Sequence, residues 1–219
     1  ITADTATEDG GITVVVIEIE NKPIRGTIMG KKIDEDGFTI SGAVFGLFKE
    51  NETEFTEETA LMTSTSNEIG VFGFENVPYG KWIVRELKSP PSFKLNPTVY
   101  KVNVMEDGEI IELIVENKFI LGSVKVIKVA EDNPEAQLSG AVFEIYVDVD
   151  KNKEFNPEID ILVGELTEDE IGIYTMSNLR HNGYFVHEKL APDGYIKDDE
   201  YHYFEITEDG TIIELEISN

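Results

Sequence analysis

GYFVHEKLAPDGY, Gly183 to Tyr195, decides how the chain is read. Strand side chains alternate with period two, so Tyr184, Val186 and Glu188 share one face of a strand here. Two apolar residues turn that face toward a core, and the third residue on it is an acid. Pro192, Asp193 and Gly194 then break the strand. An acid on a core face is costly unless it is paired or protonated. A strand-end acid that reaches solvent escapes that cost. The arrangement occurs twice: Trp82, Val84 and Glu86 repeat it in GKWIVRELKSPPSF (Gly80–Phe93), again with prolines just after.

The duplication extends along the chain. SGAVF stands at Ser41–Phe45 and at Ser139–Phe143. GTIMGKKI (Gly26–Ile33) aligns with GSVKVIKV (Gly122–Val129), and EDGEIIELIVEN (Glu106–Asn117) with EDGTIIELEISN (Glu208–Asn219). The offsets, 122 − 26 = 96 and 188 − 86 = 102 residues, define two copies of a unit of ordinary domain size. EDGGITVVVIEIEN (Glu8–Asn21) matches the tail strands as well, and NKPIRG after it matches NKFILG at Asn117–Gly122. Residues 1–22 therefore read as the terminal strand of a preceding repeat, residues 23–118 as the first full domain and residues 119–219 as the second. This pattern is that of a piece of a longer array.

Almost no helix is expected, because short alternating runs are bounded by Gly, Pro, Asn and Asp. In the first domain the spacing predicts strands at 26–33, 42–48, 59–63, 70–74, 81–86, 98–104 and 109–117. In the second it predicts them at 122–129, 140–147, 161–166, 172–176, 183–188, 201–206 and 211–219. Seven short strands per unit predict an all-β chain of two tandem β-sandwiches. The short, partly apolar linker Lys118–Leu121 predicts a stiff rod.

The net charge of −26 is spread along the chain. Such a surface repels nucleic acid and anionic membranes and suits divalent cations. There is no cysteine, so no disulfide staples these units. His181, His187 and His202 lack zinc spacing, and neither a nucleophile elbow nor a phosphate-binding glycine loop is present. Catalysis of an external reaction has little support, and a hydrolase accessory domain would rest on fold analogy alone.

Three polar residues per unit fall on apolar strand faces. Lys32 follows Ile28 and Gly30, and Lys128 follows Val124 and Val126. Asn117 follows Leu113 and Val115, and Asn219 follows Leu215 and Ile217. With Glu86 and Glu188, each unit places one Lys, one Glu and one Asn toward its core. Lys31 and Lys125 point to the opposite face. If the first and last strands are neighbours, each set meets in one apolar pocket. Burial there lowers a lysine pKa and raises a carboxyl pKa. A neutral amine is a nucleophile, and a nearby carboxylic acid can shuttle protons. The outcome would be a Lys–Asn side-chain amide with loss of ammonia. A buried Lys–Glu ion pair with Asn alongside, or a lysine snorkelling to solvent, remains open at this point.

At these residues the chain resembles the collagen-adhesin B-type domains (Cna-B, or SpaA-type prealbumin-like domains) of Gram-positive surface adhesins and pilins. The motifs are GSVKVIKV, LSGAVFEIY, YFVHEKLAPDGY and Asn219 in the second unit, and GTIMGKKI, ISGAVFGLF, IVRE and VENK in the first. The resemblance covers almost the whole chain. It implies a transthyretin-like (inverse immunoglobulin-like) β-sandwich, an extracellular place on the cell wall, and a self-formed isopeptide bond in each unit. Carried over, the bonds are Lys32–Asn117 assisted by Glu86 and Lys128–Asn219 assisted by Glu188. The implied role is structural: stalk domains of an adhesin or pilus, flanked by neighbouring domains of a longer surface protein, with self-cross-linking as their single chemical event. The alternative is a module that grips a host-matrix protein or polysaccharide. Two departures stand in the first unit. SPPSF replaces the usual AP-x-GY turn, and Gly30 replaces a branched apolar residue, which predicts a looser pocket.

DVDKNKEFNPEID (Asp148–Asp160) stands apart. Asp148, Asp150, Asn152 and Asp160 supply oxygen ligands in a pattern like the start of a calcium loop. Lys153 sits where an EF-hand has Gly, and Ile159 where it has its bidentate Glu. The other reading is an acidic, solvated hairpin tip. Asn51-Glu52-Thr53 is a glycosylation sequon by pattern, idle in a bacterium.

Overall fold

The computed structural model describes residues 6–9, 12–15 and 19–219, with side chains from residue 19 onward. Among them there is no helix. β1 (Ala6–Asp9) and β2 (Ile12–Val15) pair antiparallel with each other. Residues 19–24 are irregular and largely exposed. Val16 and Ile17, part of the expected terminal strand, lie outside the described residues.

The first unit is built from β3 (Arg25–Asp34), β4 (Val44–Lys49), β5 (Met62–Thr65), β6 (Val71–Pro78), β7 (Gly80–Lys88), β8 (Tyr100–Val104) and β9 (Ile110–Asn117). One sheet has the order β6-β3-β9 and the other β5-β4-β7-β8. β3 and β9, the first and last strands, pair in parallel, whereas the other pairings in the unit are antiparallel. The second unit comprises β10 (Leu121–Ala130), β11 (Asn133–Gln137), β12 (Val142–Val147), β13 (Ile161–Glu165), β14 (Thr167–Glu170), β15 (Ile173–Arg180), β16 (Asn182–Leu190), β17 (Tyr201–Ile206) and β18 (Ile212–Ser218). It repeats the plan. β10 and β18 pair in parallel, β15 lies beside β10, and β13-β12-β16-β17 forms the facing sheet.

The strand positions follow the alternation, and their ends move by a few residues. β11 and β14 had no counterpart in the predicted strands. β11 contains Pro134, and β14 reads Thr-Glu-Asp-Glu. Such edge strands bury no apolar face and leave no period-two signal.

Each unit has its own core. The first gathers Phe45, Leu47, Phe72, Phe74 and Val84, and the second Phe143, Ile145, Tyr174, Tyr184 and Val186. These residues come from the inner faces of both sheets, as a sandwich requires. The outer face of β16 is covered as well. Phe155, from the loop after β12, stacks on Tyr201 at 3.7 Å and meets Phe185 edge-on at 5.7 Å. Phe55 does the same in the first unit, 5.0 Å from Phe48 and beneath the Arg85 guanidinium.

The pocket beside Gly30 is not loose. A Cβ at Gly30 would stand 2.0 Å from the Phe72 ring, which stacks on Phe45 at 3.6 Å. Gly30 pairs with Phe72 across the ladder, as Val126 pairs with Tyr174 in the second unit. The first unit thus trades a branched residue for a flatter aromatic fit. The swap also removes a hydroxyl. Tyr174 Oη accepts from the Ala141 N–H at 3.0 Å, and in the first unit Ser66 Oγ accepts from the equivalent Ala43 N–H at 3.0 Å.

The linker is packed between the units. Phe119 lies 5.1 Å from Phe93, and the Arg180 guanidinium sits 3.8 Å above its ring. Arg180 also pairs with Asp36 at 2.7 Å, and Lys94 with Asp209 at 2.7 Å. The Phe119 N–H donates to Glu35 Oε1 at 3.0 Å.

Candidate functional site

The parallel pairing of first and last strands places lysine and asparagine on adjacent strands with side chains turned inward. The acid enters from the facing sheet, on β7 or β16. Both sets predicted from sequence come together. Lys32, Glu86, Asn117, Lys128 and Glu188 are essentially inaccessible to solvent, and Asn219 is partly buried. Lys31 is exposed, and Lys125 pairs with Glu214 at 2.9 Å on the outer face.

In the first unit Asn117 Nδ2 donates to Glu86 Oε1 and to Ser89 Oγ, each at 2.8 Å. Lys32 Nζ donates to the Val115 carbonyl at 3.2 Å. Asn117 Oδ1 is buried and has no hydrogen-bond partner. Burial pushes the Lys32 ammonium down to about 8, against the opposing pull of Glu86 and Glu116. Burial raises the Glu86 carboxyl, opposed by the Asn96 N–H, Lys32 and Asn117. Desolvation thus moves both groups toward a neutral amine facing a protonated acid.

The second unit is drawn tighter. Lys128 Nζ lies 3.0 Å from Glu188 Oε1 and donates to Asn219 Oδ1 in a short contact. Asn219 Nδ2 donates to Glu188 Oε1 at 3.1 Å and Oε2 at 2.9 Å. Burial lowers the Lys128 pKa, against the raising effect of Glu188. In both units the acid holds the nitrogen of the asparagine amide.

Sequence reasoning missed three contributors. Asn96 N–H donates to Glu86 Oε2 and Asp198 N–H to Glu188 Oε2, each at 2.8 Å. Each lies ten residues after its acid (96 − 86 and 198 − 188). Because the donor is backbone, residue identity is silent, and only the repeat spacing could have signalled it. Ser89 belongs to the SPPSF departure. Its hydroxyl also donates to the Phe93 carbonyl at 3.0 Å, so the altered turn brings a new polar group to Asn117.

Among the candidate calcium ligands, carboxylate oxygens of Asp148, Asp150 and Asp160 lie within 4.8 Å of one another. Asn152 is otherwise engaged: its Oδ1 accepts from the Glu154 N–H at 2.6 Å, and its Nδ2 donates to Asp150 Oδ2 at 2.9 Å. His202 bonds Asp198 at 2.7 Å and His187 the Glu200 carbonyl at 3.2 Å, so the histidines serve the loop that carries the Asp198 N–H. Among the described residues no helix is long and apolar enough to cross a membrane.

The family description "SpaA: Prealbumin-like fold domain" matches residues 26–118 and again residues 122–219. Among solved structures, the Bacillus anthracis TIE protein is similar at 25% identity with a TM-score of 0.74, over 94% of this chain and 37% of that one. This chain therefore spans little more than a third of that protein. A streptococcal ancillary pilin is 18% identical with a TM-score of 0.42, over 90% of this chain and 63% of that one. GBS52, the minor pilin of Streptococcus agalactiae, is 19% identical with a TM-score of 0.37, over 89% and 95%. Comparison with curated proteins gave no match.

Proposed function

We propose a function from one premise: the chain belongs to the family of SpaA prealbumin-like fold domains, which it contains twice. The two units are stalk domains of a Gram-positive cell-surface adhesin or pilus protein, each locked by one intramolecular isopeptide bond. The observation that carries this reading is the buried meeting of Lys, Glu and Asn, made twice on the same strands.

The chemistry balances without a co-reactant. The neutral Nζ of Lys32 or Lys128 attacks Cγ of Asn117 or Asn219. A C–N bond forms to Nζ, the bond from Cγ to Nδ2 breaks, and Nδ2 leaves as ammonia. The proton lost by Nζ reaches the leaving nitrogen through Glu86 or Glu188, which already contacts it. Proximity on rigid strands supplies the remaining acceleration. The product joins the first strand to the last, so the bond does for a cysteine-free domain what a disulfide does elsewhere. One turnover consumes the reactants, so the chain is no enzyme.

Intact mass tests this directly. The purified chain should be two ammonia molecules lighter than its sequence mass, and a mass equal to the sequence mass would end the reading. Peptide mapping should join Lys32 to Asn117 and Lys128 to Asn219. A peptide joining Lys32 to Asn21, which is exposed in the structure, would replace the first bond by a strand exchange.

A further inference from the structure

The loop between β12 and β13 closes around three acids whose carboxylate oxygens lie within 4.8 Å of one another, Asp148, Asp150 and Asp160. Asp148 is fully buried and Asp160 nearly so, whereas Asp150 is exposed. Asp148 Oδ2 accepts the Lys153 N–H at 3.1 Å, but its Oδ1 is buried with no partner at all. Asp160 accepts the Val149 N–H at 3.0 Å and the Asn156 N–H at 2.8 Å, which fixes it beneath the loop. Among the described residues no lysine, arginine or histidine forms an ion pair with any of the three. The nearby Lys153 ammonium is held by Glu205 at 2.7 Å instead. A buried, unpaired carboxylate oxygen beside two further carboxylates is an unstable arrangement for the protein alone.

The fold does not demand this arrangement. The first unit has the corresponding loop, with Phe55 where the second has Phe155. There the residue matching Asp148 is Glu50, which is exposed and pairs with Lys81 at 3.5 Å. Ala60 matches Asp160. The buried acids are thus peculiar to the second unit.

The geometry points to a calcium site in the second unit, with Asp148, Asp150 and Asp160 as its carboxylate ligands. Hard oxygen ligands on an irregular loop suit Ca²⁺, which accepts irregular coordination, better than Mg²⁺, which demands a near-ideal octahedron. The departures from an EF-hand are resolved in the backbone. Lys153 takes φ 64°, the left-handed turn that glycine makes in an EF-hand, and Asp160 supplies the carboxylate one residue beyond Ile159. The ion would tie the loop carrying Phe155 to the strand end at Asp148. This site is independent of the cross-links proposed above.

Isothermal titration of the metal-stripped full chain with calcium chloride tests the assignment. One calcium should bind per chain, with a dissociation constant on the order of 10⁻⁴ M, as in extracellular calcium modules. Asp150 is exposed, so Asp150→Asn should fold normally and should bind at least about tenfold more weakly through loss of one ligand charge. Glu50→Gln in the first unit should leave the titration unchanged. Absence of binding, an unchanged affinity in Asp150→Asn, or displacement of calcium by equimolar magnesium would each overturn the assignment.

Discussion

Lys32 and Asn117 stand on neighbouring parallel strands, two positions out of register: Lys32 lies opposite Val115, and Asn117 opposite Asp34. Lys128, opposite Ile217, keeps the same offset from Asn219. In a parallel ladder that offset lets the lysine stem lean along its own strand toward the asparagine amide. The acid then approaches the amide nitrogen from the other sheet. Neither strand alone assembles the reactants. The sandwich must close first, so the proposed bond would form in the folded state.

The acids can be removed one at a time. Glu188→Gln should retain one ammonia, with Lys128 and Asn219 present but unjoined, and Glu86→Gln should do the same to the first pair. Each missing bond releases a closed loop of 219 − 128 = 91 or 117 − 32 = 85 residues. The chain-entropy estimate for cross-linking a loop of that size is about 4–5 kcal/mol. Mass spectrometry reads the chemistry and thermal unfolding reads the stability. Full ammonia loss in either variant would remove its glutamate from the reaction.

Lys32 carries a pH signature when it is left free. In Asn117→Ala the amine has no acceptor and stays unjoined. Burial disfavours the ammonium and pushes its pKa in the fold down to about 8 from the ordinary lysine value of 10.5. The unfolded chain therefore binds more protons than the folded one between those values. Stability should rise with pH across that window, by up to about 3 kcal/mol, with the full penalty present below pH 8. Urea unfolding of Asn117→Ala, compared with Asn117→Ala/Lys32→Met from pH 7 to 10.5, isolates the effect. A difference that stays flat with pH contradicts it.

The Lys, Glu and Asn sets were legible because a polar residue on an apolar strand face stands out, and because the pattern recurred. Their meeting was legible only on the condition that the first and last strands are neighbours, and the parallel pairings of β3 with β9 and of β10 with β18 meet that condition. The backbone donors at Asn96 and Asp198 leave no trace in residue type. Gly30 misled for a related reason. A glycine in a strand signals close approach of a neighbour, yet only the structure shows that the neighbour is Phe72 and that the pocket is full. The exchange of Tyr174 for Phe72 with Ser66 is likewise invisible, because nothing in residue type shows that the two hydroxyls serve equivalent backbone N–H groups, those of Ala141 and Ala43.

Gly30→Ala turns that packing into a measurement. In an open strand the change would favour the fold, since alanine loses less backbone entropy than glycine. Here the added Cβ would meet the Phe72 ring at 2.0 Å, and the ring is pinned against Phe45. The variant should destabilise the first unit by about 1–3 kcal/mol. A neutral or stabilising outcome in thermal unfolding would show that the ring can move aside.

Force tests the stalk reading itself. A pull along the chain enters the first unit through β3 and leaves through β9, the two strands that Lys32 and Asn117 would join. With the bond in place, tension passes from β3 through the Lys32 side chain into Asn117 and on to Leu121. The 85 residues from Lys32 to Asn117 (117 − 32) stay out of the load path. Single-molecule stretching of the wild-type chain should therefore show no extension from unfolding of that segment. In Glu86→Gln the load falls on the β3–β9 hydrogen bonds, and their rupture should release about 300 Å of contour length, at about 3.5 Å per residue. Steps of that length in the wild type would mean that no bond carries the load, and the first unit would then be an ordinary sandwich held by its core alone.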